Sequence, residues 1–269
     1  NEDNGSTVTW ITDGLAQIGA GLLSLLAGLG ARTLFAFQAT WRLFTPPFYP
    51  RIFVAQVAEF FYFSLPVVGL TALFTGMVLA LQSHTGFERF SAEDAVPQVV
   101  ALSIARELGP VLAGLMVSGR MGAAMAAELG AMRVTEQIDA LSTLRVDPMR
   151  YLVAPRILAA TLSLPLLVLV ADVIGILGGY AVAVGQLGFD GPLFISNVMR
   201  FLTGGDLFSG LIKAAVFGYL IAVMGCYHGF AARAGAEGVG RATTAAVVSG
   251  AIAILASNFL LTALLCGVV

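Results

Sequence analysis

Residues 60–87 read FFYFSLPVVGLTALFTGMVLALQSHTGF, a run of 28 residues that contains no Asp, Glu, Lys or Arg. A helix that crosses the hydrocarbon core of a bilayer needs about 20 consecutive, mostly apolar residues. This run meets that requirement with several residues to spare. It therefore predicts a membrane-spanning α-helix.

The composition of the whole chain supports the same class. Of its 269 residues, 58% are hydrophobic and 11% are charged, whereas a soluble domain carries about 25% charged residues. A chain so poor in charge cannot cover a surface that faces water, so most of its surface is expected to face lipid. The two cysteines, Cys226 and Cys266, indicate neither a disulfide framework nor a metal site.

Four further stretches are apolar enough to cross a membrane. Three of them carry isolated charges, which are Arg106 with Glu107, Asp172, and Lys213. The stretches are residues 95–119, 157–189, 207–232 and 242–269. Together with residues 60–87, they predict five membrane-spanning helices.

An earlier apolar stretch, residues 14–31, has a different character. It is 18 residues long, and aromatic side chains and arginines follow it, including Trp41, Arg32 and Arg42. This arrangement favours a helix that lies in the membrane interface over a sixth span. The predicted fold is therefore an all-α integral membrane protein with five transmembrane helices and an N-terminal interfacial helix.

Arginines mark the loops that are expected on the cytoplasmic side. Residues 120–156 carry five arginines and residues 233–241 carry two. Residues 84–94 and 190–206 carry one Arg each, beside a larger number of acidic residues. Five spans with a cytoplasmic N-terminus place both arginine-rich loops in the cytoplasm and the C-terminus on the opposite side.

The long loop between the second and third spans contains an amphipathic segment. Val134, Ile138 and Leu141 fall at positions i, i+4 and i+7, which form an apolar stripe on a short helix. Asp147 precedes Pro148 and is predicted to end this helix, because the residue before a proline disfavours helical backbone. Such a helix can pack on its own bundle or dock in a groove of a soluble partner, and the periodicity favours neither.

The adjacent charges Arg106 and Glu107 lie inside a predicted span. A charge at the bilayer centre costs roughly 2.5–3.5 kcal/mol on insertion scales. Neighbouring residues on a helix point about 100° apart, so the two side chains are not expected to pair with each other. Lys213 is a candidate partner for Glu107, and backbone carbonyls are candidates for Arg106. The charges form either a functional polar patch or an ion network that fixes the helix register.

Several longer motifs carry a resemblance to a known family. They are ALSIARELGPVLAGLMVSGRMGAAMAAELGAMRVTEQIDAL at residues 101–141, VDPMRYLVAPR at 146–156, GMVLALQ at 76–82, SLPLL at 163–167 and GVGRATTAAVV at 238–248. These motifs resemble the MlaE/YrbE permeases, which are membrane subunits of ABC transporters that work with MCE proteins. The similarity implies an N-terminal segment with the interfacial helix at residues 1–52 and a permease transmembrane domain at residues 53–269.

The resemblance implies a transport subunit and not an enzyme. Such a permease moves phospholipid or a related hydrophobic compound between the bacterial inner membrane and an MCE protein. A separate ATPase subunit hydrolyses the ATP. This chain has no G-x-x-x-x-G-K-[ST] phosphate loop, and no cofactor is expected on it. The alternative substrate is a sterol or another apolar compound, since related permeases take up such molecules.

The resemblance also implies partners. They are an ABC ATPase, an MCE-domain protein that is expected to be a hexamer, and a second copy of this chain in a homodimer. Some related systems add a small STAS-domain regulator, and no nucleic acid is expected. In the inner membrane, the predicted orientation gives a cytoplasmic N-terminus and a periplasmic C-terminus.

Individual residues follow from the same resemblance. The amphipathic segment corresponds to a coupling helix at residues 135–144, which inserts into the ATPase. The residues implied in coupling are Arg133, Glu136, Gln137, Asp139 and Leu141. Those implied in substrate binding, in a cavity at the dimer interface, are Leu79, Phe87, Phe90, Arg106, Glu107, Lys213 and Asn258. Relatives carry Asp where this chain has Asn258, so this difference removes one negative charge.

Two other classes of protein agree less well with the sequence. An intramembrane enzyme could use Glu107 as an acid or base, but His84 and His228 are predicted at opposite membrane faces. No cluster of metal ligands accompanies them, and no catalytic or metal-binding residue is assigned. A passive channel or scaffold is expected to show repeated polar faces along several spans, whereas these spans are nearly all apolar.

Overall fold

The computed structural model describes residues 3–46, 49–89, 92–233 and 235–265. Within these ranges every regular element is a helix, so the predicted all-α class is confirmed. The helices are α1 (Asp3–Leu43), α2 (Pro50–Glu88), α3 (Glu93–Val134), α4 (Gln137–Thr143), α5 (Met149–Gly185), α6 (Gly191–Phe201), α7 (Gly204–Phe230) and α8 (Gly235–Leu265).

Six stretches of helix in the described chain are long and apolar enough to cross a membrane. They are α2, α3, α5, α7, α8 and the Gly19–Leu43 part of α1. The first five coincide with the five predicted spans, so a multi-pass membrane protein is confirmed. The placement of α1 in the interface stays a prediction, because length and composition do not distinguish it from a sixth span.

Helices α2 and α5 approach each other closely where glycines remove the side chain. A Cβ atom added to Gly76 of α2 would collide with the carbonyl oxygen of Gly175 on α5. One added to Gly178 of α5 would collide with the carbonyl oxygen of Leu73 on α2. Small residues that let two backbones approach in this way are a common device of helix packing in membranes. This contact fixes α2 against the centre of the bundle.

We expect Gly76→Ala to lower the stability of the folded chain by about 1–3 kcal/mol, the usual range for overpacking. The matched control is Gly86→Ala, because Gly86 lies on the same helix and has open space where a Cβ would stand. Alanine favours a helix over glycine by roughly 0.5–1 kcal/mol, so the control should be neutral or stabilising. Melting temperatures of the two purified variants test this, and equal values would contradict it.

Helix α4 lies between two residues with left-handed backbone. Glu136, which precedes it, and Arg145, which follows it, both have φ of 59°. The helix ends at Thr143, so the prediction that Asp147 and Pro148 end it is wrong. The chain has already left the helical conformation at Arg145. Asp147 instead precedes the next helix, and its Oδ1 accepts a hydrogen bond of 3.0 Å from the N–H of Met149 at the start of α5.

The described side-chain contacts of α1 with the bundle lie in its C-terminal half. The hydroxyls of Thr40 and Tyr219 share a hydrogen bond of 2.7 Å, and the ring of Phe35 lies 5.6 Å from that of Tyr227 on α7. Near the end of the helix, Arg42 forms an ion pair of 3.2 Å with Asp147. These contacts join α1 to α7 and to the beginning of α5.

Candidate functional site

An irregular turn in α3 carries the adjacent charges. Residues Ile104–Leu108 form a π-helical turn, in which the N–H of Gly109 donates to the carbonyl of Ile104, five residues earlier. Turns of this kind hold one extra residue and are frequent at functional sites. Pro110 has no N–H, so it cannot bond to the Arg106 carbonyl four residues before it, as a regular α-helix would require. This carbonyl is therefore open to another donor.

Lys213 of α7 supplies that donor and also neutralises Glu107. Its Nζ lies 3.1 Å from the Arg106 carbonyl oxygen, 2.6 Å from Oε1 of Glu107 and 2.8 Å from Oγ1 of Thr262. An ammonium group has three protons, and here each has one acceptor. Lys213 is the chain's single lysine, and it is only 1% exposed. Its charge is thus fully engaged within the protein.

Helix α8 completes the surroundings of Glu107. Nδ2 of Asn258 donates a hydrogen bond of 3.1 Å to Oε2 of Glu107, and Oγ1 of Thr262 donates one of 3.2 Å to Oε1. An amide can donate to a carboxylate, whereas an ionised aspartate at this position would repel it. Asn258 is therefore a direct hydrogen-bond partner of Glu107.

Arg106 points to a different partner. Its Nη1 lies 3.4 Å from Oδ1 of Asp206 in the first turn of α7. Asp206 is itself held by a capping box, because its Oδ2 accepts hydrogen bonds from the N–H and the hydroxyl of Thr203, at 3.0 and 2.6 Å. The side chain of Asp206 is nearly buried, whereas that of Arg106 remains 31% exposed. Arg106 is thus the accessible cation of the cluster.

The prediction that the adjacent charges take separate partners is confirmed by these two ion pairs. The structure brings together Arg106, Glu107, Lys213 and Asn258, four of the seven residues implied in substrate binding. Sequence reasoning missed two others, Asp206 and Thr262. Thr262 follows Asn258 by four residues, which places both on one face of α8; that spacing was the available signal. The role of the cluster in substrate binding stays a prediction.

The apolar residues implied in substrate binding occupy another region. Leu79 and Phe87 of α2 pack against a buried cluster that includes Val100 and Ile104 of α3. Ile104 begins the π turn, so this apolar cluster adjoins the polar one through α3. Phe90, the third predicted residue, lies outside the described residues.

Asp172 of α5 borders the same turn. It is buried, and a Cβ atom added to Gly109 would collide with its Oδ1. Among the described residues this oxygen has no hydrogen-bond partner. Gly109, which closes the π turn, thus makes room for the buried carboxyl group of Asp172.

The residues implied in coupling lie on and around α4. Ile138 is buried and Leu141 is partly buried against the main core, so the apolar stripe packs on the chain's own bundle. Glu136, Gln137 and Asp139 are exposed. Nη1 of Arg133, at the end of α3, donates a hydrogen bond of 2.6 Å to Oδ1 of Asp139.

The outer surface of α4 is therefore mainly polar. Its apolar part includes Ala140, which is exposed, and Leu144 just after the helix, which is 73% exposed. This surface, and not the apolar stripe, is the exposed part of the helix.

Comparison with known proteins indicates the family to which this chain is similar. The family model described as Permease MlaE matches residues 53–264. A probable ABC transporter permease protein of Rickettsia felis is 50% identical over 248 residues, covering 92% of this chain and 96% of the relative. The intermembrane phospholipid transport system permease protein MlaE of Haemophilus influenzae is 40% identical over 205 residues, covering 76% and 78%.

The chain is also similar to a protein from a plant. The chloroplastic protein TRIGALACTOSYLDIACYLGLYCEROL 1 of Arabidopsis thaliana is 39% identical over 198 residues, covering 74% of this chain and 57% of the relative. The family model covers most of the chain, including every residue of the polar cluster. This protein therefore belongs to the MlaE family of ABC transporter permeases.

Proposed function

We propose that this chain moves phospholipid between the inner membrane and an MCE protein, using ATP that a partner ATPase hydrolyses. The observation that carries the proposal is the accessible Arg106 guanidinium, held inside a membrane span beside a fully engaged ion pair. An intramembrane charge is costly to insert and usually marks a substrate pathway. The name of the Haemophilus relative supplies the substrate class.

The two cations of the cluster have different roles in this proposal. Lys213 has no free proton to offer, because the Arg106 carbonyl, Glu107 and Thr262 accept all three. It holds α3, α7 and α8 together. Arg106 is partly exposed, and its planar guanidinium suits a phosphate group. A lipid phosphate can replace Asp206 as its partner, while Asp206 stays held by Thr203.

The proposed topology has five spans and an interfacial α1. Two described contacts of α1 support it, because they reach Tyr227 near the end of α7 and Asp147 before α5. A third contact, with Tyr219, lies deeper along α7. Tyr227 and Asp147 belong to the half of the molecule whose loops are rich in arginine. This half is assigned to the cytoplasm by the usual arginine bias, which leaves the N-terminus cytoplasmic and the C-terminus periplasmic.

The proposed partners need surfaces on both sides of the membrane and within it. The exposed polar face of α4 is assigned to the ATPase, as a coupling helix. Helix α8 presents Leu255, Phe259 and Leu260 with more than half of each side chain exposed, and this face is assigned to a second copy of the chain. It adjoins Asn258 and Thr262, so the substrate cavity of such a dimer would include the polar cluster. The MCE protein would meet the opposite, periplasmic ends.

The test compares two arginine substitutions in the complex reconstituted into liposomes with labelled phospholipid. We expect Arg106→Gln to reduce ATP-dependent transfer between the liposomes and the MCE protein at least tenfold, in whichever direction it runs, since charge-assisted contacts contribute about 1.5–3 kcal/mol. The control is Arg51→Gln, which removes an exposed arginine of α2 on the side assigned to the cytoplasm. Complex yield should be unchanged in both.

Several results would count against the proposal. Equal loss of complex and of activity in Arg106→Gln would assign Arg106 to helix packing. Unchanged phospholipid transfer would remove it from the lipid pathway. Co-purification of a sterol in place of phospholipid, identified by mass spectrometry, would favour the alternative substrate.

A further inference from the structure

A second cavity, remote from the polar cluster, lies between α1, α7 and α8. Its volume is about 510 Å³, within the range of about 300–1,000 Å³ typical of small-molecule sites. One end is lined by Arg32 of α1, His228 of α7 and Ser249 of α8, and the other by apolar residues such as Leu220 and Ala253. The cavity is thus polar at one end and apolar at the other.

The polar end continues into a neighbouring cleft of about 260 Å³ that shares His228 with the cavity. Arg233 and Arg241, at the connection between α7 and α8, line this cleft. Three arginines and a histidine therefore line the two spaces, and among the described residues no acidic side chain lines either of them. Arg241 also forms an exposed ion pair of 3.5 Å with Glu237. This end lies at the side assigned above to the cytoplasm.

Arg32 is the arginine that lines the cavity itself. Its Nε is buried and has no hydrogen-bond partner among the described residues. His228 is already oriented, because its Nε2 lies 2.9 Å from the hydroxyl of Ser249. An interfacial arginine that served only as an anchor would extend its polar atoms into water. The side chain of Arg32 is instead partly buried and lines the cavity.

The polarity of the cavity matches that of a lipid in the adjoining leaflet. His228 lies two residues before the end of α7, and Leu220 lies eight residues, or about 12 Å, deeper along the helix. A headgroup phosphate at Arg32 would thus place acyl chains beside Leu220 and Ala253, toward the bilayer centre. Basic pockets between helices at the cytoplasmic side are known to favour anionic headgroups.

We infer that this cavity binds an anionic phospholipid of the cytoplasmic leaflet, with its phosphate at Arg32 and His228. Such a lipid would lie between α1 and α8 and so connect α1 to the bundle. The site is separate from the transport site, which depends on Arg106. Only the choice of leaflet rests on the orientation proposed above.

The test measures lipid binding to the purified full-length chain by native mass spectrometry, with dioleoylphosphatidylglycerol as the probe and dioleoylphosphatidylcholine for comparison. We expect Arg32→Gln to weaken phosphatidylglycerol binding about five- to tenfold. Arg51→Gln, which removes an exposed arginine outside the cavity, should leave binding unchanged. Ala253→Phe should also weaken it, because the substitution fills the apolar end while retaining every charge.

Three results would overturn the inference. Equal weakening by Arg32→Gln and Arg51→Gln would show attraction to net charge and not a site. Displacement of the lipid by inorganic phosphate at comparable concentration would identify free phosphate as the ligand. A change in the dimer fraction of Arg32→Gln with unchanged lipid binding would show that a second copy fills the cavity. Since transport is not measured, failure of the proposed transport function would leave the lipid result interpretable.

Discussion

Lys213→Met is expected to lower the free energy of unfolding by about 3 kcal/mol. Removing one partner of a buried ion pair costs roughly 3–5 kcal/mol, because the other charge is left without compensation. The lower end applies here because the side chain of Glu107 is 38% exposed. The loss includes the donor to the Arg106 carbonyl, which Pro110 cannot replace. Denaturant titration of the purified chain measures the change.

The double variant Glu107→Gln with Lys213→Met separates the energetic contribution of the ion pair from that of the groups around it. A neutral amide can still accept from Thr262, and it no longer leaves a charge unpaired. We expect the double variant to recover more than half of the stability that Lys213→Met loses, since a neutral replacement of a buried pair is often well tolerated. Strictly additive losses from the two single substitutions would show that the observed contact contributes no coupling.

The joint substitution Glu136→Lys and Asp139→Lys is expected to abolish co-purification of the ATPase. It reverses two charges on the exposed face of α4 and removes the 2.6 Å contact between Arg133 and Asp139. Reversed charges across an interface cost affinity through repulsion. The fold should survive, because both residues are exposed and the buried Ile138 is unchanged.

A matched control makes the same change in net charge on the opposite side of the membrane. Glu88→Lys with Glu93→Lys alters two exposed residues near the connection between α2 and α3. This pair should leave the ATPase bound. Full recovery of ATPase with the α4 variant, at unchanged yield, would refute the assignment of α4 as the coupling helix.

The spans were predictable from sequence because hydropathy acts locally, and each predicted span lies largely within one observed helix. The separate orientation of Arg106 and Glu107 was predictable from helix geometry. The pairing of Arg106 with Asp206 was not predictable, because Asp206 ends a segment, residues 190–206, that was expected to be a loop outside the membrane. Only the fold places the first turn of α7 beside α3. Hydropathy also cannot specify which helices are neighbours, so the contact between Thr262 and Glu107 was missed.

The packing of the short helix α4 shows a further limit of prediction from sequence. The apolar stripe was correctly recognised, but periodicity could not say which protein it packs against. In the structure, Ile138 packs on the chain's own bundle. The end of α4 was misplaced because a left-handed residue, Arg145, is sterically uncommon and has no signature in sequence.

Helix α3 also determines how this subunit can move. Its buried residues occur in pairs that recur every four positions, with one step of five residues at the π turn formed by Ile104–Leu108. Four residues turn a regular α-helix by about 400°, which is one full turn plus about 40°. The buried stripe therefore shifts steadily around α3 from its start to its end. Accordingly, α3 meets α2 and α6 near its start and α7 and α8 toward its end. It cannot roll about its own axis without disturbing all of these neighbours, so any motion that carries Arg106 must be a concerted motion of the bundle.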